Sequence, residues 1–295
     1  MKKVLLVDGS HLARRNYHGQ SLITSSGLKT GLIYGSIASL ISVQSALKAD
    51  LVVFAWDIPS SSSWRKTIYP MYKANRSTPE PEYLEGLSYL KDLLSSLGVT
   101  QVEAENAEAD DLIGQMACDT FKDWEVYVLS GDQDFYQIVD DRIVVLSPLL
   151  GEVRLQADGT VPVVKDKKAI YLRPDQIVSY KCLVGDAADN IPGAFGFGMA
   201  AAIKFFSVND HIDHVINGTA KLHNLLPKAV SAIQMTKPFF PIFKEIATIR
   251  LDAVAQLELV RPELHRTKAE MLFDLFEFNQ FKARGEQMFR LGGLC

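Results

Sequence analysis

The stretch Glu108-Ala109-Asp110-Asp111-Leu112-Ile113-Gly114 places three carboxylates immediately before an apolar run that is typical of a helix. One carboxylate would be enough to cap a helix start and to complement the helix dipole. Three carboxylates close together repel one another unless a cation or a set of donors holds them. On a helix, Glu108 and Asp111 share a face, whereas Asp110 points elsewhere but lies within reach if the first turn is irregular. The stretch therefore predicts a cation site, provided that other segments bring further carboxylates to it.

Apolar, strand-like segments elsewhere in the chain also end in acids. They are residues 3–7 before Asp8, residues 51–56 before Asp57, and residues 124–129 before Asp132 and Asp134. Helical spacing between the first two segments makes a βαβ unit and predicts a parallel sheet. Ligands collect beyond the carboxyl ends of such strands, so we expect these acids at one edge of the sheet. Taken alone, Asp8 is equally well explained by an Asp-Gly turn or a helix cap.

Between Asp57 and Glu80 the chain has no acidic residue, and basic side chains alternate with aromatic ones. The residues concerned are Trp64, Arg65, Lys66, Tyr69, Tyr72, Lys73 and Arg76. Basic groups neutralise phosphates and aromatic rings stack on bases, as in single-strand binding surfaces. The alternative is a solvated loop whose aromatic residues anchor it to the core.

A glycine-rich segment from Gly185 to Gly198 lies between two predicted helices. Within it, Asp186 and Asp189 repeat the three-residue spacing of Glu108 and Asp111. The backbone amides of such a segment can hold a phosphate. We therefore expect further acids and a phosphate-binding backbone in one place.

Composition limits the function classes. The chain has 295 residues, 47% of them hydrophobic, and a net charge of -4 that can conceal an acidic cluster and a separate basic surface. No window approaches the roughly 18 apolar residues of a membrane span, and no signal-peptide pattern precedes the first strand, so we expect a cytoplasmic protein. Three separated cysteines predict no disulfide framework. His211 and His214 lack the further ligands of a zinc site.

The collected acids suit hard cations such as Mg²⁺ or Mn²⁺, which prefer oxygen ligands. Two such ions about 4 Å apart can activate a water and stabilise the leaving oxygen of a phosphodiester. We therefore predict metal-assisted phosphodiester hydrolysis. A topoisomerase-primase type of metal site would leave Asp8 and Asp57 unexplained, and a phosphatase nucleophile at Asp8 would need an acid where Ser10 stands. No phosphate-binding Gly-Lys-Ser/Thr loop supports an ATPase.

Five motifs, in order over residues 4 to about 206, resemble those of the 5′-nuclease (flap endonuclease) family. This family includes the 5′-to-3′ exonuclease domain of bacterial repair DNA polymerases and stand-alone phage nucleases. The motifs are Val7-Asp8-Gly9-Ser10, Asp57 with Trp64-Arg65-Lys66 and Tyr72-Lys73-Ala74-Asn75-Arg76, Glu108-Ala109-Asp110-Asp111, Gly131-Asp132-Gln133-Asp134, and Gly185-Asp186-Ala187-Ala188-Asp189-Asn190-Ile191-Pro192-Gly193. The absence of a polymerase domain makes the chain resemble a stand-alone phage or bacterial enzyme.

The resemblance implies an α/β fold, with a PIN-like, mostly parallel sheet flanked by helices. It implies a nuclease domain over residues 1–173, including a helical arch over residues 59–97. A helical DNA-binding subdomain would follow over residues 174–295, with a helix-three-turn-helix motif around residues 183–206. We expect a monomer in the cytoplasm of a bacterium or of a phage-infected host, without membrane partners.

Residue roles also follow from the resemblance. The metal ligands would be Asp8, Asp57, Glu108, Asp110, Asp111, Asp132, Asp134, Asp186 and Asp189. Lys73 and Arg65 would contact the scissile phosphate. The DNA path would include Lys66, Tyr69, Tyr72, Arg76, Gly193, Gly196, Gly198 and Lys204. A K⁺ ion would bind main-chain oxygens of Leu183, Val184, Ala194 and Phe197, although Met199 and Ala200 replace the Lys and small hydroxyl residue of many relatives.

The implied activity is that of a structure-specific 5′ nuclease, both 5′-to-3′ exonuclease and flap endonuclease, with two or more Mg²⁺ or Mn²⁺ ions. Its substrates would be DNA with a 5′ flap, a nick or a free 5′ end, including RNA-DNA, as in primer or flap removal during replication or repair. A non-catalytic branched-DNA binding protein of the same fold is the alternative. That alternative predicts lost acids, and none of the motif acids is missing.

Overall fold

The computed structural model describes residues 1–19, 21–58 and 63–293. Its main sheet has the strand order β3-β2-β1-β4-β5-β6, and all neighbours are parallel except β5 and β6. The strands are β1 (Lys3–Asp8), β2 (Leu51–Ala55), β3 (Thr100–Val102), β4 (Glu125–Leu129), β5 (Ile143–Ser147) and β6 (Gly151–Val153). An antiparallel hairpin of β7 (Val161–Lys165) and β8 (Lys168–Leu172) forms a second sheet. The mostly parallel sheet predicted from the sequence is confirmed.

The helices flank the sheet and are the main regular elements after β8. They are α1 (Gly9–Gly19), α2 (Gly31–Leu47), α3 (Trp64–Ile68), α4 (Pro81–Ser96), α5 (Ala109–Gln115), α6 (Ile177–Val184), α7 (Met199–Phe206), α8 (Asp213–Ile216), α9 (Pro227–Thr236), α10 (Phe240–Ala247), α11 (Arg266–Leu275) and α12 (Asn279–Lys282). None of these described helices is long and apolar enough to cross a membrane. Residues 59–62 of the predicted arch and Cys295 lie outside the described residues.

The apolar strands are continuous runs because both faces of the sheet are buried. In β1, Val4 and Leu6 belong to one core layer and Leu5 and Val7 to the other, as the two-residue period of a strand requires. The first layer contains α5 and extends into α6, α7 and α10, while the second contains α1, α2 and α4. Helices therefore cover both faces of the sheet.

The end of the chain returns to the first half of the molecule. Ala269 and Phe273 of α11 and Phe281 of α12 belong to the core layer of α1, α2 and α4. The backbone amide of Val52 donates to the carbonyl of Gly292 at 3.2 Å. Residues beyond 265 thus pack on the nuclease half, although the sequence assigned them to the helical subdomain. The domain division at residue 173 stays a prediction.

Two antiparallel hairpins follow β4. In the first, β5 and β6 pair with Ser147 opposite Gly151. In the second, Asp166 and Lys167, with φ of 51° and 62°, form the turn between β7 and β8. Two left-handed residues in sequence are what a two-residue hairpin turn requires. Helix α9 begins at Pro227, because the residue before a proline avoids the helical conformation.

Candidate metal centre

The carboxyl ends of β1, β2 and β4 meet at one edge of the sheet. Asp8 ends β1 and is paired with Ala55 of β2, while Val7 is paired with Leu129 of β4. The chain first adds β2 and β3 on one side of β1 and then crosses to β4 and β5 on the other. Such a change of direction opens a crevice in which α/β proteins bind ligands. The segments after the three strands therefore converge as predicted.

The described acids form two groups that share Asp134. Carboxylate oxygens of Asp110, Asp132 and Asp134 lie within 4.8 Å of one another, and we call these residues group 1. Oxygens of Asp134, Asp186 and Asp189 satisfy the same limit and form group 2. Sets of carboxylate oxygens without His or Cys suit a hard divalent cation. The donor chemistry of both groups therefore fits the predicted metal ions.

A tight turn directs Asp132 and Asp134 into group 1. Asp132 begins a 3₁₀ turn, Gln133–Ile138, and its Oδ1 accepts a hydrogen bond from the backbone amide of Asp134 at 2.9 Å. The amide of Asp132 itself donates to Oγ of Ser130 at 3.0 Å. This turn brings the carboxylates of Asp132 and Asp134 together.

Burial and repulsion between neighbouring acids raise two pKa values in and beside group 1. Burial, together with the charges of Asp57 and Asp132, raises the pKa of Asp8 to about 7. Burial, together with Asp132 and Asp8, raises the pKa of Asp110 well above its usual range. Oxygens of Asp8 accept from Oγ of Ser130 and from the amide of His11, both at 2.9 Å. A bound cation would relieve this repulsion, and such crowded acids are typical of functional sites.

Asp57 is exposed and lies outside both groups. Its Oδ1 accepts from the amide of Ala109 at 2.9 Å, so it caps the start of α5 from another strand end. Its own amide donates to Oγ of Ser10 at 2.8 Å. Asp57 therefore joins β1, β2 and the acidic helix start.

Group 2 differs from group 1 because a lysine pairs with two of its three acids. The ammonium of Lys181, on α6, pairs with Asp134 and lies 2.6 Å from Oδ2 of Asp186. Burial alone would raise the pKa of Asp186, but Lys181 brings it below its usual range. Burial keeps the pKa of Asp189 raised, although Lys73 and Lys181 oppose this. Lys181 is a residue that the motifs did not predict, since its only signal in the sequence is its place before the Gly185-Asp186 motif.

Glu108 is held by residues that precede it in the chain by 35 to 45 positions. Its Oε1 accepts from Oγ of Ser63 at 2.7 Å, and its Oε2 accepts from Tyr72 at 2.9 Å and from Lys73 at 2.7 Å. Burial disfavours its charge, but Lys73 and Arg65 lower the pKa of Glu108 to about 2. The ammonium of Lys73 also lies 3.7 Å from Asp189, so it joins Glu108 to group 2.

Asp111 and Arg65 are not where their predicted roles require. Both oxygens of Asp111 accept from Arg65 at 2.7 Å, and Trp64 and the amide of Arg250 donate to the same carboxylate at 3.1 and 2.9 Å. Arg65 also donates to the carbonyl of Ile246 at 2.8 Å. Asp111 is 0% and Arg65 3% exposed. The geometry therefore favours a buried structural pair over a metal ligand and a phosphate contact.

The basic segment from Trp64 to Arg76 is attached to the glycine-rich turn. Asn190 donates to the carbonyl of Met71 at 2.6 Å, and Asn75 donates to the carbonyl of Ala187 at 2.7 Å. Tyr72, predicted on the DNA path, is buried against Glu108, and Arg76 is exposed with Nη2 at 3.2 Å from Asp189. Lys66 and Tyr69 are half-buried. Aromatic anchoring and exposed basic groups thus occur in the same segment.

The predicted phosphate and K⁺ residues lie at the end of α6, on the glycine-rich hairpin that follows it, and on α7. Gly193 has φ of 65° and approaches Gly185 so closely that a Cβ would lie 2.4 Å from its nitrogen, so only glycine fits. Carbonyls of Leu183 and Ala194 accept from the amides of Ala194 and Phe197, both at 2.9 Å. Val184 is half-buried, and Gly196, Gly198 and Lys204 are exposed. Their roles stay predictions.

Comparison with known proteins agrees with this architecture. A family sequence model described as "5′-3′ exonuclease, N-terminal resolvase-like domain" matches residues 3–176. A second one, "5′-3′ exonuclease, C-terminal SAM fold", matches residues 172–270. The chain belongs to the 5′-3′ exonuclease family. The resemblance and the PIN-like fold expected from the motifs are confirmed.

DNA polymerase I of Bacillus subtilis is a relative of this chain, with 30% sequence identity over 278 residues. The aligned region covers 94% of this chain and 31% of the polymerase. The chain spans 25% to 32% of the length of several DNA polymerase I relatives. The structure of T5 5′-exonuclease with divalent metal ions (zinc) bound has a TM-score of 0.68 and 18% sequence identity to this chain. The alignment covers 93% of this chain and 100% of the T5 enzyme. A structure of T5 flap endonuclease in complex with DNA and metal ions has a TM-score of 0.65 and 17% sequence identity to this chain. The alignment covers 94% of this chain and 100% of the T5 enzyme. At these identities the likeness shows a shared fold.

Proposed function

We propose that this chain is a structure-specific 5′ nuclease that hydrolyses phosphodiester bonds of DNA with the help of Mg²⁺ or Mn²⁺. The observation that carries the proposal is group 1, a set of crowded carboxylates at the strand-order change of a parallel sheet. Divalent ions bound there would polarise the phosphodiester and lower the pKa of a water molecule. The number of acids in both groups suits two or more ions, since each Mg²⁺ keeps several waters.

The residues around these ions would have different roles. Asp110, Asp132 and Asp134 would hold an ion directly, and Asp186 and Asp189 would complete a second position. Asp8 lies beside group 1, where its raised pKa already reports the neighbouring charge. The other acids of the cluster, Asp57 and Glu108, orient the start of α5 and the basic segment. Lys73 bridges Glu108 and Asp189 and would fix the edge that faces the phosphate.

The substrate we propose is DNA with a 5′ single-stranded flap, a nick or a free 5′ end, with either DNA or RNA in the 5′ segment. The basic segment supports this, because Arg76 is exposed directly beside Asp189 of group 2. The glycine-rich hairpin would hold the duplex backbone, with K⁺ at the carbonyls of Leu183, Val184, Ala194 and Phe197. We propose that the enzyme acts as a cytoplasmic monomer in primer or flap removal during replication or repair.

The test is cleavage of 5′-labelled flap, nicked and blunt duplexes with Mg²⁺, Mn²⁺ or EDTA, in K⁺ and in Na⁺ buffers. We expect metal-dependent release of the 5′ segment and none with EDTA. Flap binding without any metal-dependent product would instead support the non-catalytic DNA-binding alternative. Tighter duplex binding in K⁺ than in Na⁺ would support the K⁺ site, and equal binding would contradict it.

Lys73→Ala sharpens the same assay. We expect the single-turnover rate to fall about 100-fold, since Lys73 positions Glu108 at the reacting edge. Flap affinity measured with Ca²⁺ should change only about two- to threefold, since one phosphate contact contributes little to binding. Lys122→Ala, at an exposed position away from both groups, is the control. Equal losses of rate and affinity would show that Lys73 only anchors a phosphate.

A further inference from the structure

An apolar cavity of about 590 Å³ opens between the basic segment, the glycine-rich hairpin and the helices α9 and α10. Its walls include Tyr69, Phe195, Met235, Phe239 and Phe243, and no residue of group 1 or group 2 lines it. Phe195 is 83%, Met235 78% and Phe239 53% exposed. Large apolar side chains exposed together around a concave surface mark a site of interaction. The cavity is therefore a candidate binding site distinct from the acid groups.

The aromatic side chains of this cavity form a prepared stacking surface. The rings of Phe239 and Phe243 are nearly parallel, with centroids 6.2 Å apart and planes at 19°. Tyr69 meets Phe243 edge-on at 5.9 Å and 72°. Phe243 is buried, so Phe239 stacks on a fixed neighbour and remains half-exposed at the cavity wall. A flat ring is the ligand shape that such a surface favours.

The charge around the cavity favours a polyanionic ligand. Lys228 of α9 lines it, and no acidic residue does. Between Asp213 and Glu245 the chain has no acid but has four lysines, although the whole protein carries a net charge of -4. A purely apolar ligand would not need this bias, whereas a nucleotide combines a flat base with a phosphate.

We propose that this cavity is a subsite for an unpaired nucleobase of the DNA substrate. The base stacks on Phe239 and Phe195, and Lys228 neutralises its phosphate. The subsite extends the predicted DNA path, because Tyr69 and Gly193 also line the cavity. It rests on the proposed function, since DNA is taken as the ligand. Because no acid of either group lines the cavity, the bound base belongs to a nucleotide away from the bond that is cleaved.

Fluorescence of 2-aminopurine tests the subsite without cleavage. The base analogue is placed at successive unpaired positions of a flap substrate, and the protein is added with Ca²⁺. We expect quenching at one position, lost in Phe239→Ala, with a 5- to 150-fold weaker affinity, the range for one stacked base. Tyr171→Ala is the matched control, because Tyr171 is an aromatic residue 55% exposed on β8 outside the cavity. Quenching at no position, or equal losses in both variants, would overturn the proposal.

Lys228→Ala provides a second variant that leaves the aromatic walls intact. We expect the slope of log affinity against log salt concentration to decrease by about one, while quenching persists. An unchanged slope would contradict the phosphate contact. Normal cleavage without quenching would remove the subsite and leave the nuclease proposal standing. Quenching by a protein that cleaves no substrate would support the subsite and contradict the nuclease proposal.

Discussion

Groups 1 and 2 share Asp134 and the same type of oxygen ligand, yet they differ in how their charge is balanced. In group 1 only the shared Asp134 pairs with a lysine, no described ion pair involves Asp110 or Asp132, and the pKa values of Asp8 and Asp110 are raised. In group 2 the ammonium of Lys181 pairs with Asp134 and Asp186, and the pKa of Asp186 is lowered. A divalent ion would therefore relieve more repulsion in group 1 than in group 2.

The comparison suggests an order of metal binding. An ion entering group 1 neutralises carboxylates that repel one another, so its binding is favoured by the strain that it removes. An ion entering group 2 must share Asp134 and Asp186 with an ammonium that already neutralises them. We expect group 1 to be the tighter metal site and group 2 to fill at higher metal concentration.

The largest effect expected from this difference concerns the cleavage rate. Asp132→Asn keeps the size and the Oδ1 acceptor of the side chain but removes a charge from group 1, so the single-turnover rate should fall on the order of 10³-fold. Asp186→Asn should lower the single-turnover rate about tenfold, because the ammonium of Lys181 still balances the charge of group 2. Cleavage of a 5′ flap at saturating Mg²⁺ measures both, with the exposed Asp123→Asn as control. Equal losses in the two variants would show that the groups contribute alike.

The sheet and its acids were predictable because they depend on short-range patterns. Asp8 and Asp132 follow apolar strands, and parallel strands bring their carboxyl ends to one edge whatever the rest of the chain does. The arrangement of the acids at the start of α5 was harder to predict. Helical spacing placed Asp111 beside Glu108 and turned Asp110 away, whereas the structure puts Asp110 in group 1 and buries Asp111.

The reason is that the partners of Asp111 are distant in sequence. Arg65 lies 46 residues before it and Arg250 lies 139 residues after it. No local pattern reports such contacts. Lys181 was missed for the same reason, because on α6 it has the sequence signature of an ordinary surface lysine. Only packing of α6 against the turn that carries Asp134 places its ammonium among the acids.

Asp111 also provides a reference for the two groups, because its charge is balanced entirely by protein donors. Arg65→Ala would leave it buried without its main partner, and the free energy of unfolding should fall by about 3–5 kcal/mol. Arg65→Lys should recover less than half of this, since lysine lacks the planar fork. Urea unfolding in EDTA measures the loss. The exposed pair of Arg154 with Glu152 is the control, and Arg154→Ala should cost less than about 1 kcal/mol.

Metal counting then separates a structural carboxylate from a ligand. Asp111→Asn should bind as many Mn²⁺ ions as the parent protein in a titration followed by electron paramagnetic resonance, because the geometry keeps both oxygens with Arg65. Asp132→Asn should bind fewer in the same titration. Loss of an ion in Asp111→Asn would restore the ligand role that the sequence motif predicted.

The smallest expected effect isolates Lys181. Lys181→Met keeps an unbranched side chain but removes the ammonium from group 2. Two unit charges about 4 Å apart interact by about 4 kcal/mol in a partly buried site, and relaxation reduces this, so we expect Mn²⁺ to bind group 2 about tenfold more tightly. The metal-free variant should melt at a lower temperature, since Asp134 and Asp186 lose their partner, and Mn²⁺ should restore it.

Lys244→Met is the matched control, because Lys244 lies 2.6 Å from Asp213 outside both groups. It should change neither the affinity nor the number of bound ions. Lower stability of Lys181→Met with unchanged Mn²⁺ affinity would mean that ions do not meet the ammonium, so the two groups would not differ as metal sites. Tighter Mn²⁺ binding together with slower cleavage in Lys181→Met would assign Lys181 a role in the reaction. Lys181 would then keep the second ion weakly held, because an ion bound too firmly between Asp134 and Asp186 cannot adjust to the charge that develops on the phosphate.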